Sequence, residues 1–366
     1  MLLGSVAAVA AAVAVLRYGP ALALTVGLAS PVTARALAPL DPPVTRMELR
    51  LGVGARVLVV DLYRATAAEG ALVLVHGLSR AGPRHPELER LARLLAARGR
   101  MVLVPHLEGL MTFRLTGREV EEVSAVLAHA RGLTRAVGIL GFSFGAGPAL
   151  LAAAEVTPQP DVVGAFGGYA DLRHVIRFVT TGVHYWGEQR LRQAQEEYNR
   201  WKLLSLLAGA VRAGRNRVLL QRLAARKLAN PFDDTRALEA ALTREGRALL
   251  ALVTNRREDA VEPLLQDLPA PVRAHLEQLS PLRAMARLRT RVLIAHALED
   301  SSIPYTESLW LAAHAGGRPR VVLLRSFHHA GPQPGWQRVV DRARDGWELV
   351  GLADELLSHS RGSGVS

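Results

Sequence analysis

Four short runs constrain this chain more than anything else in it: "ALVLVHG" from Ala71, "MVLVPHL" from Met101, "RAVGILGFS" from Arg135 and "DVVGAFGGYA" from Asp161. Each is apolar at successive positions rather than alternate ones, the pattern of a strand buried on both faces. The stretches between them carry helical periodicity, as in "HPELERLARLLAARG" and "GREVEEVSAVLAHARG". Fully apolar strands alternating with helices imply a parallel sheet covered on both sides. Upstream, "RMELRLGVGARVLVVDLYRA" alternates polar and apolar residues around a glycine turn, a hairpin signal. Downstream, "RVLIAHALED" and "RVVLLRSF" restore the strand pattern, and "GWQRVVDRARDGWELVGLADELL" reads as a closing helix. The implied class is α/β, with a mostly parallel eight-stranded sheet.

The rhythm breaks at Asp171, and from there to about Leu288 the chain reads as helices without a strand of comparable strength. Four segments follow: an apolar anchor or leader (1–40), the first part of an α/β core (41–170), a helical cap inserted into it (171–288), and the second part of the core (289–366). Between Trp201 and Asn230 stand five arginines and two lysines with no acidic residue. Such a segment presents a solvated helix face, lies on an anionic membrane or guides an acyl substrate. The formal charge of +12 favours acidic partners in general. No recognised motif or stacking pattern accompanies it, so nucleic acid is not expected as a partner. The absence of cysteine excludes disulfides, thiolate metal sites and a cysteine nucleophile.

"LLGSVAAVAAAVAVL" is uncharged and stops at Arg17, after which "ALALTVGLAS" follows. As a helix the first run is about 22 Å long, at about 1.5 Å per residue, short of a bilayer core of about 30 Å. Three readings stand: a membrane anchor with Arg17 and Tyr18 at the interface, a signal peptide cleaved near Ala36 to Ala38, or an alanine-rich helix buried against the core. As an anchor it would attach the protein to a membrane, with arginines such as Arg35 and Arg46 keeping the catalytic part on the cytoplasmic side; as a signal peptide it would imply export.

Gly141-Phe142-Ser143-Phe144-Gly145 matches G-x-S-x-G between an apolar strand and a helix, the context of a nucleophile elbow. Gly141 and Gly145 permit a turn too sharp for side chains, and Ser143 is left exposed at a helix N-terminus. A serine needs a base, oriented by an acid. Each should follow a later strand, in the order serine, acid, histidine. Asp300, just past "RVLIAHALE", is the preferred acid, and Asp171 in "GGYADL" its rival. His329 in "SFHHAGPQP" is the preferred base, with His328 as the alternative. His76, His106, His184 and His296 read as structural. The oxyanion donors would be the backbone N–H groups of Phe144 and of Leu78 in "HGLSRAG". No histidine pair has H-E-x-x-H spacing, so neither a metal nor another cofactor is expected.

On these residues the chain resembles the α/β-hydrolase family: His76-Gly77, the elbow around Ser143, "HALEDSSIP" around Asp300, and the terminal His329. The likeness runs from about Arg46 to Leu357, with the helical insertion where that family carries a lid. Ala297 and "FHH" depart from it, since a glycine is usual after the strand histidine and before the terminal one. The resemblance implies a serine hydrolase, a carboxylesterase or lipase-like enzyme for a small ester or lipid. Two alternatives stay open: a catalytically silent binding or scaffold protein at a membrane, and an acyltransferase. The fold hosts many chemistries and selects none of them.

Overall fold

Along the strand Gly70–Val75 (β3), Ala71, Val73 and Val75 join one hydrophobic cluster while Leu72 and Leu74 join another. Period-2 alternation therefore sends every second side chain to the opposite face, and both faces are apolar because both are covered. The same split recurs in Arg100–Pro105 (β4), Val137–Phe142 (β5), Val162–Phe166 (β6) and Arg291–Ala297 (β9). This is a computed structural model that describes residues 17–211, 214–325 and 337–360.

The remaining main-sheet strands are Thr45–Val53 (β1), Arg56–Arg64 (β2) and Arg318–Leu324 (β10). β1 and β2 form the expected hairpin, closed from Val53 to Arg56, and β2 runs antiparallel to β4. Everything beyond is parallel, in the spatial order β1-β2-β4-β3-β5-β6-β9-β10. The described helices before Asp171 are residues 17–29 (α1), Pro31–Leu37 (α2), Pro86–Ala97 (α3), Glu108–Met111 (α4), Arg118–Leu133 (α5) and Ala146–Glu155 (α6), and Leu172–Thr181 (α7) opens the segment 171–288. The insertion contributes Glu197–Ala208 (α8), Gly214–Ala229 (α9), Arg236–Ala240 (α10), Arg244–Thr254 (α11), Val261–Gln266 (α12) and Ala270–Gln278 (α13), and the core closes with Thr306–His314 (α14) and Gln337–His359 (α15). α1, α3 and α15 cover one face of the sheet; α5 and α6 pack on the other, and the insertion's buried side chains join their cluster, with α8, α11 and α13 packed on α7.

One expectation is corrected here. Between α7 and α8 the chain forms a second, two-stranded sheet, Val183–Trp186 (β7) with Gln189–Arg192 (β8). Four-residue strands are too short to stand out in a sequence, and the turn depends on Gly187 at φ +58°. In the basic stretch of the insertion, Arg215, Arg217, Arg222 and Arg226 of α9 are exposed.

The apolar leader divides at Arg17. Residues 1–16 lie outside the described residues, while α1 packs on the core, with Ala21 and Leu24 only 1% and 2% exposed. Gly27 lies against Leu94 of α3, the Arg90 guanidinium donates to the Leu28 carbonyl at 3.0 Å, and Arg17 pairs with Asp354 of α15. Among the described residues no helix is long and apolar enough to cross a membrane.

Candidate active site

β5 ends at Phe142 and α6 begins at Ala146, leaving three residues to reverse the chain. Ser143 makes the turn with φ +51°, in the left-handed region that a side-chain-bearing residue adopts at a cost of about 1–3 kcal/mol. The glycines around it are required by contact. A Cβ on Gly145 would stand 2.2 Å from the His76 carbonyl oxygen, and one on Gly141 would stand 2.5 Å from Ala146 Cα. Phe142 packs against Phe166, ring centres 5.4 Å apart, and Phe144 against Tyr169 at 5.6 Å.

The turn after β3 closes over the serine. A Cβ on Gly77 would come within 2.9 Å of Ser143 Cβ, so this second glycine-dependent approach brings the Gly77-Leu78 backbone beside the hydroxyl. His76 holds that turn: Nδ1 donates to the Gly77 carbonyl at 2.8 Å and Nε2 accepts from the Leu107 N–H at 3.3 Å. Burial pushes its pKa down from the ordinary 6.5 to about 4, so the ring is neutral and both nitrogens are occupied.

Asp300 follows β9, buried at 9% exposure, and lines the same cavity as Ser143. Its Oδ1 accepts from the N–H groups of Ser302 at 2.8 Å and Ile303 at 3.1 Å, which fixes the carboxylate in its loop. Oδ2 lies 3.7 Å from His296 Nε2, too far for a hydrogen bond. His296 is otherwise engaged: Nε2 donates to the Ile303 carbonyl at 2.9 Å, Nδ1 accepts from Ser308 at 2.7 Å, and burial lowers its pKa. His184 likewise bonds Thr306 Oγ1 at 3.0 Å, and His106 Nε2 lies 3.2 Å from Asp61 Oδ2.

The rival acid has another task. Asp171 caps α7, Oδ1 accepting from the Arg173 N–H at 2.8 Å, while Arg173 Nη2 donates to Oδ2 at 2.6 Å. Burial alone would raise its pKa, but these bonds outweigh it and hold the carboxyl below the usual range. Asp171 does not border the cavity; Asp300, Ser143, Leu78 and Phe144 do. His328 and His329 lie outside the described residues. The described chain leaves β10 at Leu324, which pairs with Ala297 three residues before Asp300.

Two polar residues of α8 border the cavity: Asn199, which no sequence signal announces, and Lys202, one of the two lysines of the basic stretch. Asn199 donates to the Ser301 carbonyl at 2.8 Å and accepts from Ser302 Oγ at 3.2 Å, tying the insertion to the Asp300 loop. Lys202 lies with Nζ 4.3 Å from the centre of the Tyr198 ring, and burial lowers its pKa against the opposing pull of Glu196 and Asp300. The cavity itself measures about 1220 Å³.

Sequence comparison matches the chain to no family model and to no curated protein. Solved structures do resemble it. The acylaminoacyl peptidase of Pyrococcus horikoshii is 12% identical with a TM-score of 0.51, covering 91% of this chain and 44% of that one. An acylaminoacyl peptidase solved with Z-Gly-Gly-Phe-chloromethyl ketone gives the same identity and score over 88% and 43%. DcsB, solved with a substrate analogue, is 10% identical at a TM-score of 0.51, over 87% of this chain and 100% of its own. This chain thus spans under half the length of the peptidases it matches. With the strand order, the elbow at Ser143 and these likenesses together, the chain has the α/β-hydrolase fold.

Proposed function

We propose that this protein is a cofactor-free serine hydrolase that cleaves an ester through Ser143, Asp300 and His329. The observation that carries the reading is Ser143 held at φ +51° between β5 and α6, facing a cavity that Asp300 also lines. A strained, half-buried serine that borders a cavity at a helix N-terminus is costly to keep and is suited to attack.

His329 removes the Ser143 proton as Oγ adds to the acyl carbonyl, and Asp300 orients the resulting imidazolium. The N–H groups of Leu78 and Phe144 receive the developing oxyanion. Collapse breaks the bond to the alcohol, which leaves with the proton from His329. Water then adds to the acyl-enzyme, giving its proton to His329, and the acid departs as Ser143 recovers its hydrogen. Chain reach is adequate for this assignment. Strands stand about 4.8 Å apart, so β10 is about 14 Å from β5, and the five steps from Leu324 to His329 extend at most about 17 Å.

The test is labelling by a fluorophosphonate probe, which reacts with an activated serine. Wild type should label and Ser143→Ala should not; equal labelling of the two, or none in wild type, rejects the mechanism. The membrane attachment expected from the leader rests on a narrower footing, the exposed stripe Tyr18, Leu22 and Val26 on the outer face of α1. Flotation of the full chain with anionic vesicles tests it, and failure to float removes that part alone.

A further inference from the structure

The cavity that begins at Ser143 continues well past it. Leu24 and Leu28 of α1, Leu88 and Leu91 of α3, and Leu349 and Leu352 of α15 line its far part. None of these helices belongs to the insertion, whose α8 borders the same cavity through Asn199, Lys202, Leu203 and Leu206. α1 bridges the other two helices, holding α3 through Gly27 and Arg90 and α15 through Arg17. At about 1220 Å³ the space exceeds the roughly 300–1,000 Å³ usual for small-ligand pockets.

We infer that α1 is one wall of an acyl-binding arm, and that the ester substrates carry a long apolar acyl chain laid between α1, α3 and α15. This rests on Ser143 being the nucleophile, because the arm and the serine share one cavity. The leader segment is then part of the substrate site, whatever residues 1–16 do. A chain withdrawn from water into leucine side chains gains up to roughly fourfold in binding per methylene. Selectivity should therefore climb with acyl length until the arm is filled. The occupant is an acyl group because leucines of α1, α3 and α15 dominate the arm, with Thr25, Glu87, Arg90 and Arg342 also among its lining, and because the same cavity holds the residue that attacks a carbonyl.

The experiment uses the full chain and p-nitrophenyl esters from acetate to dodecanoate. In wild type, kcat/KM should be at least about 100-fold higher for dodecanoate than for acetate. Thr25→Trp fills the arm from α1, where Thr25 borders the cavity, and should reduce that ratio at least about tenfold. Ala353→Phe narrows it from α15 and should act in the same direction, which guards against a misfolded single variant. Leu22→Trp, on the outer face of α1 at 52% exposure, should keep the wild-type ratio. An unchanged ratio in both arm variants, an equal fall in Leu22→Trp, or a wild-type preference for acetate overturns the inference. Calorimetry of dodecanoate binding to Ser143→Ala separates the two readings. Binding weakened by Thr25→Trp without any ester turnover in wild type sinks the hydrolase and keeps the arm. Ser143-dependent turnover without chain-length preference does the reverse.

Discussion

Ser143 has the one backbone angle in the site that its own side chain opposes. At φ +51° a Cβ is disfavoured, whereas glycine adopts the conformation freely. Ser143→Gly should therefore unfold at higher temperature than Ser143→Ala, by roughly 1 kcal/mol in stability, with both inactive. Differential scanning calorimetry of the two variants checks this, and equal midpoints would deny the strain. The need for Gly141 and Gly145 was legible in the sequence because their spacing around a serine is local. Gly77 has the same kind of role toward Ser143; His76-Gly77 stood out in the sequence only through the family resemblance, because its partner is 66 positions away.

At the scale of elements, the strands read well and the insertion read poorly, for one physical reason. A strand buried on both faces is apolar throughout, so its environment is written in consecutive letters. The hairpin β7/β8 and the inward-facing end of α8 have no such period, and what α8 touches depends on chain far away. Arg200 illustrates this. Its guanidinium, buried on α8, donates to the carbonyls of Val253, Asn255 and Thr180, the last at 3.2 Å, and so joins α8 to α7 and α11. Arg200→Leu strips two buried carbonyls and one half-buried carbonyl of a donor and should destabilise the protein by about 3 kcal/mol or more. Urea unfolding followed by circular dichroism measures it, and a loss below about 1 kcal/mol would mean the joint carries little.

At the scale of the whole molecule, three of the described histidines are buried neutral: His76, His184 and His296 all have pKa values lowered by burial. The unfolded chain takes up protons below about pH 6.5 that these rings refuse, so stability falls as pH falls through that value. For His76 the fall continues to its folded pKa of about 4 and amounts to roughly 3 kcal/mol. His174 acts in the opposite sense. Burial lowers its pKa, but a 3.0 Å contact with Glu307 prevails and raises it, so its contribution is present in acid and is lost as pH rises through the raised value. With three against one, chemical denaturation should show lower stability at pH 4.5 than at pH 7.5, and a shallower loss in His76→Gln; an equal slope in that variant would remove His76 as a cause. The sequence by itself determined the two-sided sheet and the elbow, because each depends on local period. Only tertiary structure chose Asp300 over Asp171 as the carboxylate beside the cavity, turned part of an apolar leader into a wall of that cavity, and brought Asn199 and Lys202 to its edge. Those outcomes depend on which distant surfaces meet, and burial between distant segments leaves no mark in neighbouring residues.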